Sequence, residues 1–125
     1  MIDLIEFTEH YLICALWAST GEDDEPLDAV HGLDDIHATA RDKALIDCQN
    51  FIEANESDLL EYGEKIGNGY SLEEMAGHDF FLTRNGHGAG FWDRGAGAVG
   101  DRLSEMAKLE GETYFYIGDD NYIYC

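Results

Sequence analysis

The spacing of apolar residues changes at Gly77, and that change limits the folds open to this chain more than any other feature. Before it the periods are helical. In DLIEFTEHYLICALWAS (3–19), Leu4, Phe7, Tyr11, Cys14 and Ala18 form the stripe of an amphipathic helix, favoured over the strand that the aromatic and β-branched residues of 11–17 also allow. Ala40, Ala44, Leu45, Cys48, Phe51, Ile52 and Asn55 form a second stripe, with Asp42, Asp47 and Glu53 off it. Ser57 opens a shorter helix to residue 66. Ser71-Leu72-Glu73-Glu74 has the form of a capping box for a turn or two that Gly77 closes.

After Gly77 the period is two. Asp79 to Arg84 and His87 to Trp92 read as strands about Asn85-Gly86, a dipeptide suited to a type I′ turn. Beyond the glycines of 95–100, Val99, Leu103, Met106, Ala107 and Glu110 mark a helix ended by Gly111. The closing YFYIGDDNYIY reads as a second hairpin about GDDN. The expected fold is α+β. One domain, 1–125, has N-terminal helices followed by an antiparallel sheet of two hairpins with one intervening helix. Residues 20–36 form an acidic loop punctuated by Gly, Pro and Asp.

The first hairpin carries the densest chemistry. Pairing about Asn85-Gly86 sets Arg84 opposite His87, Leu82 opposite Ala89, Phe80 opposite Phe91 and His78 opposite Asp93, all on one face. His78 with Asp93 would make an acid–base pair, and His87 with Arg84 and Arg94 an anion site. That gives a ligand-binding or enzymatic alternative built on His78, Arg84, His87, Asp93 and Arg94. A structural explanation weighs more: such pairs stabilise sheets, and Gly88 and Gly90 allow close packing. Zinc on His78, Asp79, His87 and Asp93 lacks a ligand set at suitable spacing. No phosphate-loop, dinucleotide or nucleophile-elbow signature occurs, so neither an enzymatic activity nor a cofactor or metal is expected.

Charge is the other dominant property. The chain carries 27 Asp and Glu against seven Lys and Arg, a net charge of −20. Ten of the acids (Asp3, Glu6, Glu9, Glu22, Asp23, Asp24, Glu25, Asp28, Asp34, Asp35) precede the first basic residue, Arg41. A surface of this sign repels DNA, RNA and anionic lipid, because nucleic-acid affinity comes from neutralising phosphates. It suits a basic partner. Asp3, Glu6 and Glu9 step along a helix by about 4.5 Å, comparable to the ~3.4 Å between phosphates of one DNA strand. With the acids of the 20–36 loop they would present a polyanion to a groove that reads phosphate. A second series, Asp47, Glu53, Glu56, Asp58, Glu61 and Glu64, lies on the middle helices. Plain solvation of helix faces is the competing explanation.

A chain of this length buries roughly two-thirds of its unfolded surface, so its core needs no disulfide. Cys14, Cys48 and Cys125, odd in number and without a C-x-x-C, read as reduced thiols. The N-terminus lacks the basic region of a signal peptide, and no apolar run approaches the ~20 residues that span a bilayer.

GHDFFLTRNGHGAGFWDRG (77–95), GDRLSEMAK (100–108), YLICALWAST (11–20), DCQNFIEAN (47–55) and YIGDDNYIY (116–124) resemble the blocks of a family of small proteins encoded by phages and mobile elements. The resemblance covers most of the chain outside the acidic loop and assigns no catalytic residue. It implies a phage protein in the cytoplasm of an infected bacterium. The expectation is a DNA-mimic inhibitor of a host defence or repair enzyme, bound through its basic groove, with Trp17, Phe81 or Trp92 as aromatic anchors. A scaffolding role in the phage programme is a further alternative. The oligomeric state, a homodimer included, stays open.

Overall fold

Asp3 begins the first helix. Its carboxylate accepts the Glu6 backbone N–H at 3.1 Å, satisfying one of the donors that a helix start leaves open. Helix α1 then runs Leu4–Ala18 and buries Phe7, Tyr11 and Cys14 of the expected stripe, with Leu4 and Ala18 partly buried and Leu12, Ala15 and Leu16 added to the buried face. The structure is a computed structural model describing residues 1–21, 24–66 and 69–125. The acidic loop holds two single turns of 3-10 helix, Leu27–Ala29 and Leu33–Asp35, with Leu27 and Ile36 buried.

Helix α2 spans Ala38–Ile66 and joins the two helices expected at 40–55 and 57–66. The boundary survives as a kink: Asn55 leaves helical backbone (φ −131°, ψ 19°), and its side chain donates to the Phe51 carbonyl at 2.9 Å.

The largest departure follows. Helix α3 runs Leu72–Arg84, so the strands expected at 79–84 and 87–92, and the hairpin between them, do not form. Ser71 caps α3 as anticipated, accepting from the Glu74 N–H at 3.1 Å. Gly77 does not end it. Gly77 lies inside the helix where α3 crosses α1, and a Cβ there would stand 2.4 Å from the Phe7 carbonyl oxygen. From Asp79 to Arg84 every residue is buried. A helix enclosed on all sides has no polar face, so helical periodicity vanishes from its sequence and short alternations look like strand. Asn85-Gly86 is the C-terminal cap of α3: Asn85 donates through its backbone and side-chain nitrogens to Phe81 O (3.3 and 3.0 Å), and Gly86 takes φ +70°. The dipeptide suits this cap and a type I′ turn alike, because both need left-handed backbone.

The glycine-rich block folds back over α3. Gly90 lies against Thr83 so closely that a Cβ would meet the threonine hydroxyl at 2.2 Å, and that hydroxyl accepts the Phe91 N–H at 3.2 Å. A 3-10 turn, Phe91–Asp93, drops the Phe91 ring into the core. Helix α4, Ala98–Leu109, ends at Gly111 (φ +80°) as expected. The chain closes with one hairpin, β1 (Tyr116–Ile117) and β2 (Ile123–Tyr124), with Tyr116 opposite Tyr124 and Ile117 opposite Ile123. The His37 N–H donates to the Ile123 carbonyl at 2.8 Å, tying the hairpin to the start of α2. The fold is therefore mostly helical with a small two-stranded antiparallel sheet, and the second of the two expected hairpins is the one present.

Aromatic rings fill the centre. Phe51 stacks on Phe80 (4.1 Å between centroids) and on Phe91 (5.9 Å), while Tyr11 contacts Phe80 and Phe81. Cys14 and Cys48 are buried thiols, and burial pushes the Cys48 pKa up to about 12. No helix among the described residues is long and apolar enough to cross a membrane.

Candidate functional site

The acids ahead of Arg41 fall on α1 and on the loop packed beside it. Asp3 and Glu9 are exposed; Glu6 accepts from the Ser71 hydroxyl at 3.2 Å. The Asp3 N–H donates to Glu73 at 2.9 Å, which draws the acidic first turn of α3 (Glu73, Glu74) alongside that of α1. In the loop Asp24, Glu25, Asp28 and Asp34 are exposed, and Asp35 accepts the Gly32 N–H at 2.9 Å. Glu22 and Asp23 lie outside the described residues.

Six of the seven Lys and Arg side chains are committed elsewhere. Lys43 and Arg84 pair with Asp47, Lys65 with Glu61, Arg94 with Asp79 and Asp93, and Arg102 with Asp58 and Glu61. Arg41 turns its guanidinium to the carbonyls of Leu33 and Ile36. Asp3, Glu6, Glu9, Asp24, Asp28, Asp34 and Asp35 take part in no ion pair among the described residues. The second acidic series is thus partly neutralised, while these seven acids of the first are not paired among the described residues.

The alternative site does not assemble as the hairpin register required. Arg84 is buried, donating to Asp47 (2.9 Å), the Tyr11 hydroxyl (3.1 Å) and the carbonyls of Glu110 and Gly111, where it neutralises the C-terminal end of α4. Burial opposes the Asp47 charge, but the hydrogen bonds from Arg84 and Lys43 prevail and hold its pKa below the usual value. His87 is exposed beside the Phe81 ring, and Asp93 accepts the Gly90 N–H at 3.1 Å, so neither the His78–Asp93 pair nor the Arg84–His87 pair exists. Of this set Arg94 pairs with Asp93 at 3.7 Å, and Arg94 and His78 share a site. They line a cleft of about 360 Å³ with His10, Tyr70, Glu74 and Met75, and the Trp17 ring lies 5.7 Å from His78. Burial lowers the His78 pKa, the neighbouring Asp79 charge opposing it.

Beneath this cleft Arg94 binds Asp79 through Nε and Nη2 (2.7 Å), and the Tyr62 hydroxyl donates to the same carboxylate. The zinc set His78, Asp79, His87 and Asp93 is accordingly dispersed, and no group of three or more His, Cys, Asp or Glu among the described residues is placed to hold a metal. Phe81, expected as an interface anchor, is buried at 2% exposure; Trp17 (56%) and Trp92 (47%) are exposed.

Comparison with protein-family models, with curated proteins and with solved structures yields no match.

Sequence reasoning passed over Glu73 and Glu74 as charge-bearing neighbours of Asp3, 70 residues away, and His10 as a neighbour of His78. The capping box marked Glu74 as a helix-start residue, but no local signal shows which helix start lies beside it.

Proposed function

We propose that the protein acts without catalysis as a mimic of nucleic-acid charge, occupying the basic groove of a host nucleic-acid-binding enzyme of defence or repair in the cytoplasm of an infected bacterium. The observation carrying this reading is the segregation of charge. Asp47, Asp58, Glu61, Asp79 and Asp93 enter intramolecular ion pairs, whereas Asp3, Glu9, Asp24, Asp28 and Asp34 are exposed and enter none among the described residues. An unneutralised row of this kind costs stability through self-repulsion, and a complementary basic surface turns that cost into binding energy. Helix α1 and the anchored 3-10 turns hold the row in place, so little ordering entropy is lost on association. Trp17, exposed on α1, offers an amphipathic anchor beside the acids.

The test is capture from bacterial lysate with tagged protein, elution by a salt gradient and competition with duplex DNA. The expected result is one nucleic-acid enzyme, released at moderate salt and displaced by DNA. Reversal of Glu22, Asp23, Asp24 and Glu25 to lysine should reduce capture by about tenfold or more, as loss of several charge contacts does. Equal capture by the reversed protein at low salt would sink the reading.

A further inference from the structure

Between α1 and the start of α2 lies a groove of about 330 Å³, lined also by Leu33 and Asp34 of the 3-10 turn at Leu33–Asp35. Its walls are aliphatic: Ile5 and Leu12 from α1, Leu33 from the turn and Leu45 from α2. Ile5 is 67% exposed, although nothing in the capping or packing of α1 requires an isoleucine facing water there. Around this apolar floor stand Glu9, Asp34 and Asp42, all exposed and each from a different element. Arg41, the one cation lining the groove among the described residues, has its guanidinium bonded to backbone carbonyls of Leu33 and Ile36. Three carboxylates against one guanidinium leave the rim negative.

Chemistry selects the occupant. Nucleic acid and anionic lipid are repelled by the rim, and a purely electrostatic contact has no use for a leucine-lined floor. A polypeptide that offers aliphatic side chains flanked by lysine or arginine satisfies both. The lining residues come from α1, the 3-10 turn and α2, and no strand edge among the described residues borders the groove, so strand addition is not available. An amphipathic helix presents apolar residues at i, i+3, i+4 and i+7 along one stripe, the form that grooves of this kind receive.

We propose that this groove receives a basic amphipathic helix of a partner protein, its apolar stripe on Ile5, Leu33 and Leu45 and its cations against Glu9, Asp34 and Asp42. The proposal rests on the charge-display reading for the sign of the partner and adds the partner's anchor and its secondary structure.

The probe is a fluorescently labelled leucine–lysine peptide of about four helical turns, compared with a peptide of the same composition whose leucines are scrambled off the stripe. Both are titrated with the full chain by anisotropy at near-physiological salt. The patterned peptide is expected to bind about tenfold more tightly than the scrambled one, the difference that helix-in-groove recognition adds to charge. Joint Glu9→Gln, Asp34→Asn and Asp42→Asn substitution should weaken it about tenfold, and Ile5→Ser, at an exposed position the fold does not need, by about threefold. Joint Glu56→Gln, Glu64→Gln and Glu105→Gln, the same loss of charge away from the groove, should leave affinity unchanged. Equal binding of the two peptides, equal weakening by the two triple variants, or no binding each overturns the proposal. Such a failure would leave DNA-competed capture of a host enzyme intact. Conversely, groove-dependent peptide binding with no DNA-competed target removes the mimicry and keeps the groove.

Discussion

Asp79 is the most deeply enclosed carboxylate of the described chain, with 0% exposure, and its partners decide how it is tolerated. Arg94 supplies the countercharge from the glycine-rich block, and Tyr62 supplies a hydroxyl from α2. Burial and then the Asp79 charge push the Tyr62 pKa well above its usual range, so this hydroxyl keeps its proton and donates it. Hydrogen bonding to Asp79 likewise raises the Arg94 pKa. Three separate stretches of chain thus meet on one carboxylate. Removing it strands a guanidinium and a phenol together, and Asp79→Ala is expected to cost about 3–5 kcal/mol in urea unfolding. Asp79→Asn keeps an acceptor in place and should cost less. If Asp79→Ala unfolds like the parent, the cluster does not hold the glycine-rich block to the helices.

At the scale of elements, the α1–α3 crossing governs the helical layer. Gly77 is the point of closest approach, its missing side chain admitting the Phe7 carbonyl. Gly77→Ala would add a methyl group where the backbone leaves no space, and since that neighbour is backbone it cannot rotate away. Overpacking of this kind typically costs about 1–3 kcal/mol, more than the roughly 0.5–1 kcal/mol that alanine returns in helix propensity. A net loss in a denaturant melt is expected; a net gain would mean the two helices separate freely. The same element shows why the strand reading of 79–84 failed. Phe80, Phe81, Leu82 and Thr83 are all buried, because α1, α2, α4 and the folded-back loop surround that half of α3. The surrounding chain erased the pattern.

For the whole molecule the governing quantity is the net charge of −20. Raising sodium chloride from about 0.01 M to 1 M shortens the screening length from roughly 30 Å to 3 Å. The repulsion among the acids of α1 and the loop should then fall, and the melting temperature should rise by about 5 °C or more, the shift that about 1 kcal/mol produces in a domain near this size. Chloride is the appropriate salt, since sulfate strengthens apolar burial in its own right. A flat or falling melting temperature would mean that the carboxylates are spaced widely enough to ignore one another, and the polyanion reading would weaken with it.

Local pattern accounts for a definite part of this protein. The stripes of α1, α2 and α4, the Ser71 cap, the GDDN hairpin, the burial of Cys14 and Cys48 and the excess of acid before Arg41 were all legible, because each depends on residues within a few turns of one another. The tertiary structure alone decided the rest. It made α3 a helix through Gly77, set Arg94 rather than His78 against a buried aspartate, sent Arg84 to Asp47, and brought Glu9, Asp34 and Asp42 around one apolar groove. Each of these rests on contacts between distant segments, and spacing along the chain holds no information about which helix faces which.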